Sequence, residues 1–463
     1  MLNQGLMLIS PIILVRLITV EQFGHYREFL LYAGVLSTIC AFGINNSLLY
    51  FIPSRPGSLR QMIKQSVTLT VVSSVLVLGV TLLANALTHG AVLGDVALPV
   101  ALYVMLFVNL DFWEFYWLSR RRTLPVLAYT SGRLIARILV VIIAATLTRD
   151  VYAIIWSLVV LEAVRFVASL AAMRNLAQEP ELAESCWREQ LKYCVPVGVA
   201  LILVTLNKSL GNLFVAKAIG AVALAHYTIG THIQPVITVL RNSVSDALLP
   251  DLAALKSGVA ENALALWRRS TVVSMVLLMP AGVALAEFAE PIVLTLFSPD
   301  YAAAIPIFQI YLLVLLREVF DFGVALRALN RNAPIVHANL LAIVLNIGLL
   351  VIAIPLWGLP GAALAYVVSR FAEGAYMALR VKHVYGVKLR ALANWSDLGR
   401  VAVAGVIAAG VFYGSFWLDH FGVAGIVLGS LAYLGVFLLA LLACRLPMMT
   451  LLMRRGMNKS LPA

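Results

Sequence analysis

The sequence predicts an all-α integral membrane protein of about fourteen transmembrane helices, with two parallel six-helix repeats around a central cavity plus two C-terminal helices. Three observations predict the class. Of 463 residues, 62% are hydrophobic and only 12% are charged, against about 45–50% apolar and about 25% charged in an average soluble domain. That leaves too little polar surface to coat a water-soluble globule of this size. Apolar runs close to the roughly twenty residues needed to cross hydrocarbon recur between polar breaks. Lys and Arg gather in every second break.

The runs give spans at 2–17, 25–52, 62–87, 96–119, 125–147, 151–173, 191–216, 222–249, 264–297, 301–326, 333–355, 359–379, 398–418 and 423–444. The first run lacks the basic start and small-residue cleavage site of a signal peptide, so it reads as a retained helix. It is short, which leaves two expectations: a natural start further upstream, or a helix sheltered by protein. The run 264–297 is long for one crossing and is expected to break near Pro280 or Pro291.

Orientation follows from charge. With the N-terminus cytoplasmic, the inner breaks and tail, with the helix ends adjoining them, hold 23 Lys and Arg, and the outer ones hold only Arg16, Arg149 and Lys217. One missing or surplus span would scramble that alternation, so both termini are expected on the cytoplasmic side. The same pattern accounts for the net charge of +12, which in a soluble chain would suggest nucleic acid; no nucleic-acid partner is expected here.

Soluble segments are short, and the longest, 174–190 and 380–397, both fall inside. The chain contains no GxxxxGK[ST], dinucleotide glycine fingerprint, HExxH or nucleophile elbow. Cys40, Cys186, Cys194 and Cys444 have no metal or redox spacing. The expectation is a non-enzyme with no cofactor, no metal and no nucleotide. A membrane-embedded glycan polymerase would want a sizeable outer loop, which this chain lacks.

Three weak internal matches share one offset. Span 1 leads into VRLITVEQFGHY and span 7 into VAKAIGAVALAHY; span 4 carries DFWEF and span 10 EVFDF; span 6 ends RFVASLAAMR and span 12 RFAEGAYMALR. An offset of six is even, so matched helices run in the same direction and the repeats are parallel. The organisation expected is a six-helix lobe over 1–174, a cytoplasmic linker at 175–190, a second lobe over 191–382, a cytoplasmic loop at 383–397, and two extra helices with a tail over 398–463.

A charge at mid-bilayer costs about 2.5–3.5 kcal/mol even on lenient scales, so each must face protein or water. Glu162 with Arg165, Arg317 with Asp321, and Arg370 with Glu373 lie at helical spacing and read as structural pairs. Arg133 and Arg137 lie at a depth where Asp111 and Glu114 can meet them. Two stripes read differently. In span 8, Tyr227, Thr231, Gln234, Thr238, Arg241 and Ser245 recur at three and four residues; in span 7, Thr205, Lys208 and Asn212 do the same. Thr and Gln suit interhelical hydrogen bonding. Lys208 and Arg241 lack an acid one turn away on their own helices, which favours a wet cavity. The repeat that equates spans 2 and 8 adds Arg27 and Asn45 as further candidates.

The stretches LVRLITVEQFGHY, LFSPDYAAAIPIFQIYLL and IPLWGLPGAALAYVVSR resemble the polysaccharide-transporter branch of the multidrug/oligosaccharidyl-lipid/polysaccharide exporter superfamily, that is, Wzx-type flippases of lipid-linked oligosaccharides. The resemblance runs in order along nearly the whole chain through loose patterns. It implies two six-helix lobes around a cavity, and export by alternating access of a polyprenyl-pyrophosphate-linked oligosaccharide for O-antigen, capsule or exopolysaccharide. It also implies membrane lipid, a glycan polymerase and chain-length machinery as partners. Lys208 and Arg241 would then hold the pyrophosphate or acidic sugars. A drug or cation antiporter of the same superfamily is the alternative, as is a lipid II flippase.

Overall fold

In the computed structural model the described residues are 9–54, 59–90, 93–110, 112–176, 187–233, 237, 260–328, 331, 333–413 and 422–444. The helices are α1 Val20–Ala41, α2 Ile44–Ser54, α3 Leu59–Leu87, α4 Ala97–Leu110, α5 Phe112–Ser119, α6 Thr123–Thr148, α7 Val151–Leu176, α8 Trp187–Ala218 and α9 Ala221–Gly230. The second half of the chain gives α10 Ala260–Glu287, α11 Ala289–Leu296, α12 Ile305–Leu312, α13 Val314–Glu318, α14 Phe322–Ala328, α15 Ala333–Tyr385, α16 Trp395–Tyr413 and α17 Gly422–Ala443. Among the described residues, eight helical stretches are long and apolar enough to cross a membrane, or nine with the bent pair α1 and α2 taken as one span.

Local chemistry sets the ends. Thr19 and Gln22 form a reciprocal capping box at the start of α1, with Gln22 N donating to Thr19 Oγ1 and Thr19 N to Gln22 Oε1. The other end of the same amide, Nε2, donates to the Arg149 carbonyl at 2.9 Å. Asp150 then caps α7 by accepting from the amides of Tyr152 and Ala153.

Two breaks depart from the expected spans, and a third falls where one was expected. The predicted span 25–52 is two helices bent by 40°, parted at Phe42 and Gly43, whose φ values of 40° and 71° are left-handed. The span 264–297 breaks at Phe288, three residues before Pro291 in the first turn of α11, where the proline ring clashes with the carbonyl four residues back, while Pro280 stays inside α10. The predicted 301–326 is a series of short pieces with a turn at Leu313 and a stop after Glu318.

The 53 residues of α15 would be about 80 Å long if straight, against about 30 Å of hydrocarbon. Instead the chain turns at Gly358, with φ 60° and ψ −133°. A side chain on Gly361 would collide with the Ala353 carbonyl, a contact possible only if the halves 333–357 and 359–385 fold back on one another. This single element therefore holds the predicted spans 333–355 and 359–379.

The chain divides into two compact units, Met1–Thr228 and Ile229–Ala463. In unit 1, α1 packs on α3, α4 and α8, α7 packs on α4 and α6, and α2 on α5. The predicted second repeat begins with α8, yet α8 packs along α1 in unit 1, so contact units and sequence repeats divide the chain differently. In unit 2, α10 packs on α16, α16 on α17, and α12 and α14 on α15. Large apolar side chains stay outside, as in Leu76, Val80 and Leu83 of α3 or Val160, Val164 and Val167 of α7. Water would not tolerate such faces, and acyl chains receive them.

Candidate functional site

The break in α1–α2 faces a cavity of about 350 Å³ within unit 1. That size lies in the range of about 300–1,000 Å³ usual for small-molecule sites. Its wall includes Ser37, Thr38 and Asn45 from α1 and α2, Tyr103 from α4, Arg137 from α6 and Thr205 from α8. The helices approach closely because the contact has no side chains. A Cβ on Gly198 of α8 would lie 2.6 Å from the Phe42 carbonyl oxygen, and one on Gly43 would lie 3.0 Å from Gly198 N. Below the break, the buried Gln190 donates through Nε2 to Ser47 Oγ at 2.8 Å and Ser66 Oγ at 2.7 Å, tying α8 to α2 and α3.

Two of the sequence-predicted residues meet in this cavity. Asn45 is 4% exposed, and its Nδ2 has no hydrogen-bond partner. Leaving such a donor unmet costs about 1–3 kcal/mol, so it is a group that a ligand can satisfy. Thr205 Oγ1 donates to Thr38 Oγ1 at 3.4 Å. Arg27 stands beside the cavity on α1, its guanidinium 6.0 Å from the Phe23 ring and close enough to Arg137 for the two cations to repel.

The others lie elsewhere. Lys208 is on an exposed side of α8. Asn212 Oδ1 accepts from Thr228 Oγ1 at 3.5 Å, the interhelical use expected of polar residues in a bundle. Thr231 is buried in unit 2. Gln234, Thr238 and Arg241 lie outside the described residues.

Arg137, read from sequence as a structural partner of acids on span 4, lines the cavity wall, set among Tyr26, Tyr103 and Glu162. Arg133 does meet Glu114, at 3.9 Å, and lies over the Phe107 ring; Asp111 is outside the described residues. Arg165 pairs with Glu162 as expected and donates to Tyr129 OH at 2.7 Å. The signal that could have found Arg137 is on α1. Leu30, Gly34, Thr38 and Ala41, three or four residues apart, make a face of mostly small side chains that opens the space Arg137 enters.

Unit 2 carries a second set of buried charges. Arg317, expected to close on Asp321, pairs with Glu373 at 2.9 Å and Glu318 at 3.4 Å. Arg370 pairs with Glu318 at 2.6 Å and with Glu373. Two arginines and two glutamates thus form a closed ring of formal charge zero. Asp321 Oδ1 accepts from Val324 N at the head of α14. Among the described residues, no cluster of His, Cys, Asp and Glu could hold a metal ion.

The family described as "Polysaccharide biosynthesis protein" matches residues 13–306. No curated protein sequence matches the chain. Among solved structures, the chain is similar to the lipid II flippase MurJ in an inward closed conformation, with a TM-score of 0.74 at 12% identity over 95% of this chain and 96% of that one. It is also similar to an inward-facing multidrug resistance MATE family transporter of the MOP superfamily, with a TM-score of 0.56 at 15% identity over 83% and 94%. The MATE multidrug transporter DinF-BH gives 0.51 at 14% identity, over 83% and 94%. At such identities these likenesses establish the fold.

Proposed function

Because the chain belongs to the polysaccharide biosynthesis protein family, we propose that it is a flippase. It moves a polyprenyl-pyrophosphate-linked oligosaccharide across the bacterial inner membrane for surface polysaccharide synthesis. The observation that carries this reading is the unit 1 cavity, where Arg137 and the open amide of Asn45 stand with the hydroxyls of Ser37, Thr38 and Thr205. Among the described residues, Arg137 is the one charged side chain in the cavity wall; Glu114 and Glu162 are engaged by Arg133 and Arg165, and Glu28 is turned to His25 and Tyr32. A cation set among amide and hydroxyl groups fits an anionic, hydroxylated ligand. Arg offers phosphate a planar fork, and amide and hydroxyl groups match sugar hydroxyls. Drug or cation antiport would want open carboxylates, and both of these glutamates are engaged by arginines. MurJ is by its name a lipid II flippase, and a lipid-linked glycan is the cargo class carried over from it.

Lys208 and Arg241, with Gln234, Thr231, Thr238 and Asn212, are proposed as further cargo contacts along their stripes. The architecture proposed is fourteen spans in two parallel six-helix repeats plus two helices, with both termini cytoplasmic and transport by alternating access. With the inside negative, outward passage of an anion is favoured by roughly 2.3 kcal/mol per charge per 100 mV, so the membrane potential can bias export.

The test is gene deletion followed by mass analysis of lipid-linked saccharides, then complementation. Deletion should accumulate a polyprenyl-linked oligosaccharide and abolish surface polysaccharide. Wild type should restore export, and Arg137→Ala should restore less than a tenth of it at equal membrane abundance. Unchanged glycolipids with new sensitivity to cationic drugs would overturn the reading.

A further inference from the structure

A second cavity, of about 270 Å³, opens in unit 2 where two helices of membrane-spanning length end and α16 begins. Trp267 stands near the start of the span Leu264–Glu287, Tyr385 closes the span Ala333–Tyr385, and Trp395 opens α16. Helix ends with Trp and Tyr mark the level where hydrocarbon meets the headgroups, so this opening lies at the membrane–water interface. Its wall is aromatic. Trp267 and Phe322 are buried with ring centroids 5.4 Å apart, and Phe320 lies 6.0 Å from the ring of Trp395. Leu392 is buried beneath the connecting segment.

The rim combines grease with positive charge. Leu389 and Trp395 are 45% and 54% exposed, large apolar groups left outside a core that has room to pack them. Arg390 between them is exposed. Arg268, next to Trp267, donates through Nη2 to the Ala391 carbonyl, while its Nε is buried with no hydrogen-bond partner. The guanidinium is therefore anchored beside the opening with a donor still unmet. Lys388 adds charge along the same connection, while Arg400, on α16, pairs with Asp397 at 3.2 Å. An aromatic slot flanked by two guanidiniums at interfacial depth matches one occupant in chemistry and in place. That occupant is a lipid with its upper acyl chain against Trp267 and Phe320 and its phosphate on Arg268 and Arg390.

We propose that the Trp267–Phe320–Trp395 cavity, with Arg268 and Arg390 at its rim, is a binding site for an anionic phospholipid of the leaflet it faces. This site is separate from the unit 1 cavity and does not depend on what that cavity carries. A zwitterionic lipid fills the slot and brings a phosphate, but its headgroup cation is repelled by the guanidiniums and offsets that gain, and a soluble anion pairs them but leaves the aromatic slot empty. Resident phosphatidylglycerol does both.

The full chain, extracted in mild detergent and exposed to an equal mixture of phosphatidylglycerol and phosphatidylcholine, is to be read by native mass spectrometry. Phosphatidylglycerol should be retained over phosphatidylcholine. The double variant Arg268→Gln/Arg390→Gln should weaken retention about thirtyfold, as expected for two interfacial cations worth about 1 kcal/mol each. Because Arg268→Gln also loses the bond to Ala391, Arg390→Gln alone is the second variant. Its side chain is exposed, so the fold is kept, and about fivefold weaker retention is expected, restored by Arg390→Lys. Trp395→Ala should weaken both lipids alike. Equal retention of the two lipids by wild type, or undiminished phosphatidylglycerol retention in both Arg variants, would overturn the proposal. So would complete displacement of phosphatidylglycerol by polyprenyl phosphate, which would make this a site for the carrier lipid instead.

Discussion

The two sets of buried charge follow opposite rules. In unit 2, Arg317, Glu318, Arg370 and Glu373 answer one another in a closed ring, beside the stacked rings of Tyr311 and Tyr366. In unit 1, arginines exceed glutamates among the described residues, and the set opens on a cavity where the amide of Asn45 has no partner. The ring's four charges cancel among themselves, although the Nε of Arg317 and that of Arg370 are buried without a partner, whereas the unit 1 set is unbalanced and opens on a cavity. On the function proposed above, the first serves structure and the second recognition.

The largest effect should come from opening the ring. Glu373→Ala leaves Arg317 and Arg370 buried with one acid between them, which should destabilise the protein by about 3–5 kcal/mol, the usual outcome of removing one partner from a buried pair. The fraction of folded, monodisperse protein after detergent extraction measures this. A variant that extracts and melts like wild type would end the contrast. Next in size is Gly198→Ala, whose new Cβ meets the Phe42 carbonyl backbone at 2.6 Å. A cost of about 1–3 kcal/mol is expected from the overpacking, with a lowered melting temperature as the readout and transport loss to match. The smallest change sharpens the comparison most. Asn45→Ala removes a buried, unmet donor, so stability should rise by about 1 kcal/mol or stay level, while glycan export falls severalfold. A loss of stability there would mean that Asn45 serves the fold rather than the ligand.

The helices were legible because lipid imposes one requirement, about twenty apolar residues with every backbone group bonded within the segment. That requirement says nothing about where a helix bends under protein contact. Residues 39–44 are apolar across Phe42 and Gly43, and the break there packs against Gly198 on a helix more than 150 residues away. Pro280, the obvious breaker, is absorbed inside α10 because a bundle can re-satisfy the backbone that proline frees. The site was half legible for the same reason. Asn45 and Thr205 stood out as polar residues on apolar helices. Arg137 was hidden among acids that seemed sufficient to pair it, and the reach of Arg317 to Glu373, 56 residues on, follows from tertiary packing that helical spacing does not encode.

The turn at Gly358 has a consequence for anyone wishing to reach this hairpin with a probe. Two spans are joined through one residue in a conformation that side chains resist, between Pro355 and Pro360. The chain there offers no slack: a protease finds no extended strand to grip, and an antibody finds only the short ridge formed by Leu356 and Trp357. An inserted tag would have to pry the hairpin apart at the contact between Gly361 and Ala353.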